Sequence, residues 1–139
     1  RCILLCQHKL ALSDIRLDQH FDNNLPEIEG DFNQLQQCII NLVFNAADAM
    51  PEGGTLTLSA SRQESGPGVC LKVADTGTGI AEKDLPHIFE PFYTTKDEGY
   101  GVGLGLSTVY GIIQNHHGHV QVDSQKDRGT TFTLCLPQA

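Results

Sequence analysis

The run Asp75-Thr-Gly-Thr-Gly-Ile80 constrains the fold more than any other stretch of the chain. It follows Val69-Cys-Leu-Lys-Val-Ala74, where Val69, Leu71 and Val73 alternate with Cys70, Lys72 and Ala74, the period of a strand. A strand that ends on a carboxylate and runs into two alternate glycines sets an acceptor beside a bare backbone. No Cβ then keeps a flat ligand away from that backbone. Asp-Thr-Gly is also an ordinary turn sequence, so the motif takes its meaning from its surroundings.

The 139 residues suffice for one compact domain with a core. Hydrophobic residues make up 40% and charged residues 19%, a globular mix. No apolar run reaches spanning length and no signal peptide is visible. The chain opens on Arg1 without a Met, so it reads as a fragment; the domain itself is expected in the cytoplasm with no membrane contact, whether or not the full-length protein is membrane-bound. A net charge of −8 argues against nucleic acid as a partner, which needs a basic footprint. Any phosphate site must then use backbone amides, a metal and a few local cations. The five cysteines are odd in number and lack framework spacing. Cys38, Cys70 and Cys135 lie in apolar runs and read as reduced core residues. Cys2, Cys6 and His8 lack a second ligand pair at zinc spacing.

Residues 1–12 read as the end of a linker or preceding helix, and residues 13–139 as the domain. Leu17 to Phe21 reads as a strand. Asp31 is a good helix N-cap, and Gln34 three residues on completes a capping-box pattern. Leu35, Cys38, Ile39, Leu42, Val43 and Ala46 then recur at helical spacing. Asn41 and Asn45 lie four apart, on one face. Asn is a mediocre helix former, and core positions flank both residues, so this face should not be fully solvated. Pro51 and Gly53-Gly54 stop the helix. Thr55 to Ala60 alternates as a strand, and Ser65-Gly-Pro-Gly68 turns into Val69 to Ala74. Glu82 to Phe89 is a short helical piece interrupted by Pro86. Phe89-Glu-Pro-Phe92 predicts a small aromatic cluster, and Thr94 to Tyr100 a mobile loop. Gly101-Val-Gly-Leu-Gly-Leu106 leads into a helix capped by Gly118. His119 to Asp123 and Gly129 to Leu136 are alternating strands joined at Lys126-Asp127-Arg128.

A glycine run at a helix start is a phosphate site by physics. The first-turn amides lack intrahelical partners and carry the positive end of the dipole. A loop–helix junction packed on a sheet uses the same residues. An Asn carboxamide suits Mg²⁺ bound to ATP, which keeps several waters and takes one or two protein oxygens.

The four pieces Asn41-Leu-Val-Phe-Asn45, Asp75-Thr-Gly-Thr-Gly79, Phe89-Glu-Pro-Phe92 and Gly101-Val-Gly-Leu-Gly-Leu106 occur in one order. Together they resemble the ATP-binding catalytic domain of two-component sensor histidine kinases, within the superfamily that includes gyrase, heat-shock chaperone and mismatch-repair ATPases. Gly129-Thr-Thr-Phe132 looks like that family's last glycine box. The resemblance runs from about Asp14 to Pro137. It implies a Bergerat-type α/β two-layer sandwich, a mixed sheet of about five strands packed on three helices, with ATP and Mg²⁺ as cofactors. By matching positions it implies that Asn45 holds Mg²⁺ and that Asp75 accepts a hydrogen bond from the adenine amine, helped by Thr130. Gly77 and Gly79 would let the base lie close, against Ile80. The amides across Gly101, Val102, Gly103, Leu104 and Gly105 would hold phosphate. Phe89 and Phe92 would anchor a lid from which Lys96 reaches the β/γ-phosphates.

Two departures bear on this. Asp48 stands where the family often has a basic phosphate contact, which puts more weight on Lys96. The lid, Thr94 to Tyr100, is short. The resemblance also implies transfer of a phosphoryl group to a histidine on a separate dimerisation domain, with a response regulator downstream. None of His8, His20, His87, His116, His117 or His119 lies in a His-Glu-x-x-x-Pro context. Two rivals are an ATPase of the same superfamily and a non-catalytic nucleotide-responsive module. The related ATPases carry a Glu base at the position of Asn41. An amide cannot take a proton from water, so Asn41 favours the kinase.

Overall fold

The structure, a computed structural model, describes residues 14–22, 30–62, 68–89 and 105–137. Its elements in chain order are β1 (Ile15–Phe21), α1 (Phe32–Asp48), β2 (Gly54–Arg62), β3 (Gly68–Asp75), a 3₁₀ turn (Leu85–His87), α2 (Gly105–Asn115), β4 (His119–Gln125) and β5 (Gly129–Pro137). The strands form one five-stranded sheet in the order β1-β2-β3-β5-β4. β1 and β2 run parallel, a pairing that needs a crossover connection, supplied here by α1. The other pairs are antiparallel. The expected mixed sheet is present. Among the described residues two α-helices cover it, and the expected piece at Glu82–Phe89 is the single 3₁₀ turn. The expected helix end over residues 1–12, residues 65–67 of the expected turn before β3 and the loop Thr94 to Tyr100 lie outside the described residues, and Gly68 opens β3.

The apolar stripe of α1 explains the two layers. Cys38, Leu42, Val43, Ala46 and Ala47 are buried, and Leu35 and Ile39 pack against the same cluster. From α2, Val109 and Ile113 join it with no exposed area. The sheet contributes Leu56, Leu58, Val73, Phe132, Leu134 and Leu136. Their period of two places the intervening residues of β3 and β5, Cys70, Lys72, Thr133 and Cys135, on the sheet's other face. Burying a Leu or Phe side chain contributes about 1.5–3 kcal/mol. One contiguous cluster of this kind therefore holds both layers together.

Helix α1 starts as its sequence predicts, but only half of the capping box forms. Gln34 N donates to Asp31 Oδ1 at 3.1 Å. Asp31 N donates not to Gln34 but to His116 Nε2, at 2.9 Å. The other ring nitrogen, Nδ1, lies 2.8 Å from Ile112 O. A carbonyl only accepts and Nε2 is already an acceptor, so the ring is held as the neutral Nδ1–H tautomer. His116 thus ties the end of α2 to the start of α1, 85 residues away. The C-terminus of α2 differs from expectation in one residue. His117, not Gly118, adopts the left-handed conformation, at φ 63°. Gly118 N and His117 N then close onto Ile113 O and Gln114 O, satisfying the last carbonyls in a Schellman motif.

The cysteines depart from the sequence reading. Cys70 and Cys135 are joined by a disulfide and are not reduced. The β3–β5 register sets them directly opposite each other, with Cα atoms 4.1 Å apart. A separation of 65 residues hides this pairing until the register is known. Cys38 remains a free, buried thiol, pushed by burial up to about 11. At neutral pH it is therefore almost entirely protonated, and the thiolate is the reactive form. In peptide mapping after alkylation of the folded chain, Cys38 should stay unlabelled and should react once denaturant is added. Labelling of Cys38 at the rate of an open thiol would show that the core beneath α1 is not closed.

Candidate functional site

The register of the sheet assembles the site. Leu56, Asp75, Thr130 and Ser124 are successive partners across β2, β3, β5 and β4. The adjacent row, Leu58, Val73, Phe132 and Val122, faces the helices. Because the side-chain period is two, the Asp75 row faces the helices as well. One end of the helix-covered face therefore carries a carboxylate and two hydroxyls in line, where the neighbouring rows are apolar.

Asp75 is 9% exposed. Its Oδ1 accepts from Gly77 N at 2.9 Å. Burial pushes the carboxyl above its ordinary range, and the amides of Gly77 and Thr130 partly offset this. A buried acid paired with no cation among the described residues is costly to keep. Such groups concentrate at functional sites.

The loop after Asp75 is clamped from two sides. Thr78 N donates to Ala49 O at 2.9 Å, and Ala49 closes α1 by donating to Asn45 O and Ala46 O. On the other side, Asp127 N donates to Thr78 O at 2.6 Å. Ile80 N donates to Ser124 Oγ at 2.7 Å. A Cβ at Gly77 would come within 2.3 Å of Ala49 O, and one at Gly79 within 2.0 Å of Gln125 O. Gly79 also has φ 71°, which a side chain disfavours. The Cβ positions of both glycines therefore point at protein backbone. Thr76 supports the same junction: Thr55 N donates to its Oγ1 at 3.0 Å, and Met50 Sδ accepts from it at 3.6 Å.

Asn41 and Asn45 are both half-buried on α1, as their core-flanked positions predict, and Asp48, exposed, follows on the same helix. Asn41 is engaged at both ends. Its Oδ1 accepts from Gln37 Nε2 at 2.7 Å, and its Nδ2 donates to Gly105 O at 3.3 Å. It therefore links α1 to the start of α2, where the glycine run ends. Among the described residues no hydrogen bond engages the Asn45 carboxamide. A half-buried amide oxygen is the kind of hard, neutral donor that Mg²⁺ takes when nucleotide phosphates complete its shell.

Phe89 stacks on Tyr110 of α2 at 5.3 Å and meets Phe132 of β5 edge-on at 6.4 Å. Phe89 thus sits in an aromatic cluster built with two other elements, while Phe92, the neighbour the sequence reading grouped with it, lies outside the described residues. Ile80 packs against the main core. Phe92, Lys96, Gly101, Val102, Gly103 and Leu104 lie outside the described residues. The sequence reading missed Ser124, Thr76 and the Ala49 carbonyl. Ser124 did carry a signal: a hydroxyl stands in the phase that Val120 and Val122 fill with apolar side chains.

Known proteins share both the sequence and the fold. Sensor histidine kinase ZraS of Escherichia coli (strain K12) is 45% identical over 124 residues, covering 89% of this chain and 26% of that protein. Sporulation kinase A of Bacillus subtilis (strain 168) is 40% identical over 134 residues, 96% of this chain and 22% of that one. The chain thus spans about a quarter of the length of these curated relatives. Among solved structures, the catalytic domain of histidine kinase ThkA superposes with a TM-score of 0.85 at 30% identity, over 99% of this chain and 89% of that one. Full-length ShkA in complex with AMPPNP gives 0.86 at 31% identity, over 99% of this chain and 28% of that one. Residues 30–139 match the family described as "Histidine kinase-, DNA gyrase B-, and HSP90-like ATPase", so the chain belongs to that family, as an ATP-binding catalytic domain of the sensor histidine kinase type.

Proposed function

We propose that this domain binds Mg-ATP with the adenine against Asp75 and passes the γ-phosphoryl to a histidine on a separate helical dimerisation domain. A response regulator would then receive the group from that histidine. The observation that carries the reading is the buried Asp75 carboxylate, held at a strand end by two backbone amides and facing the helices. The ShkA relative, solved with AMPPNP, supports an adenine nucleotide as the ligand. The ThkA relative, solved with response regulator TrrA, supports the downstream partner. The cytoplasm is the compartment that supplies ATP, and no described helix is long and apolar enough to cross a membrane.

Asn45 would hold the metal, which neutralises phosphate charge. Lys96 and the amides from Gly101 to Gly105 would hold the phosphates, and Asn41 would keep the end of that run against α1. In the transfer, an imidazole nitrogen of the acceptor attacks the γ-phosphorus and the bond to the β–γ bridging oxygen breaks. ADP leaves and the imidazole proton passes to solvent. The rival hydrolase needs a general base at the position of Asn41. Its carboxamide cannot accept a proton, and both of its ends are engaged.

Three outcomes test the reading. Asn45→Ala should weaken Mg-ATP in calorimetry by about tenfold or more and leave adenosine nearly unchanged. Equal losses would point to a damaged helix.

Asp75→Asn should separate stability from binding. The folded-state carboxyl is raised above 3.8. Ionising it therefore costs the folded state stability as pH rises from 3.8 through the raised value. Asparagine keeps an acceptor for the two amides without that cost. The variant should melt at or above the wild-type temperature at neutral pH, with the difference vanishing below 3.8. It should also bind ATP more weakly and lose part of its preference over GTP, whose carbonyl faces an acceptor in the wild type. A variant less stable at neutral pH would show that the charge itself supports the fold.

The chain alone, given γ-labelled ATP, should release little phosphate and label none of its histidines. With a helical acceptor hairpin in trans, Mg²⁺-dependent label should appear on that hairpin's histidine. Brisk release by the chain alone would favour the hydrolase.

A further inference from the structure

We infer that Ser124 is a positioning residue that makes this site selective for an amine-bearing base, by fixing the direction of the Thr130 hydroxyl; the inference rests on the nucleotide reading above. Three groups converge on Ser124 Oγ. Ile80 N lies at 2.7 Å, Gly129 O at 3.0 Å and Thr130 Oγ1 at 2.8 Å.

Their chemistry leaves one arrangement. An amide N–H only donates, so Ile80 takes one lone pair of Ser124. A carbonyl only accepts, so the single Ser124 proton goes to Gly129 O. The contact with Thr130 must then be donated by Thr130, which fills the remaining lone pair of Ser124. The Thr130 hydroxyl keeps two lone pairs and has no proton left to give.

Thr130 stands opposite Asp75 in the β3–β5 register. The carboxylate is likewise an acceptor only. Among the described residues, the end of the sheet therefore presents two neighbouring acceptors and no side-chain donor between them. That pattern suits an exocyclic amine with its two N–H groups, met directly or through one water. It is unfavourable for a base with a carbonyl at the same position, which leaves buried acceptors unpaired. Without Ser124 the Thr130 proton is released, and the hydroxyl can turn to donate to such a carbonyl.

The test is calorimetry of the 139-residue chain with ATP and with inosine triphosphate, whose base carries a carbonyl where adenine has its amine. Wild type should prefer ATP by about tenfold or more. In Ser124→Ala the ATP-to-ITP affinity ratio should fall at least about threefold, and Ser124→Thr, which keeps the hydroxyl, should restore it. A purely structural role would weaken both ligands in parallel, and an unchanged ratio in Ser124→Ala would overturn the inference. If Ser124→Ala does not fold, Thr130→Val decides the matter with Ser124 intact. It should weaken ATP and leave ITP unaffected, and equal loss of both would show that Thr130 is not a fixed acceptor. Wild type unable to tell ATP from ITP overturns the adenine reading and this inference with it. A discriminating wild type whose full ratio survives Ser124→Ala overturns this inference alone.

Discussion

The antiparallel register between β3 and β5 is the constraint on which the rest of the molecule depends. It pairs Asp75 with Thr130, Val73 with Phe132 and Cys70 with Cys135. A shift of one residue would send every side chain of one strand to the opposite face. Phe132 would leave the core, and Asp75 would lose its neighbouring hydroxyl. The apolar row beneath the helices and the polar row at the sheet end are thus set by one alignment. The energy that defends the core also positions the site.

Backbone, more than side chains, holds the loop that carries the site. Thr78 is bonded through its N–H to the end of α1 and through its carbonyl to the β4–β5 turn. The two glycines beside it are needed because carbonyls of those same elements lie where a Cβ would be. The glycine pattern that identifies the family is therefore a packing requirement. It also ties the loop to the candidate site on α1, since Asn45 lies in the last turn of that helix and the carbonyl that grips Thr78 belongs to its capping residue, Ala49.

Asp75 shows how a buried carboxylate opposes stability. Its burial raises the carboxyl, so the fold holds a charge that it would be more stable without. The amides of Gly77 and Thr130 make the position tolerable without a cation among the described residues. On the proposed reading, a cation there would neutralise the acceptor offered to a base edge.

Local chemistry and periodicity were enough to read the strands, the long helix with its Asp31 cap, the core stripe and the ordered motifs. Each of these is written within a few residues: an alternation, a 3.6-residue repeat, a capping oxygen. The resemblance of the ordered motifs then supplied the two-layer fold and roles for Asp75 and Asn45. What the sequence could not show were relations between distant segments. Half of the capping box was displaced by His116, which reaches Asp31 only once the two helices pack. Cys70 and Cys135 looked like separate core thiols until the register set them opposite each other. Asn41 looked like one half of a pair with Asn45, and packing made it a strut to Gly105. Ser124 was passed over, although its hydroxyl stands in an otherwise apolar phase of β4. Its three partners come from a loop and from the neighbouring strand β5, so only the tertiary structure could decide where its one proton goes.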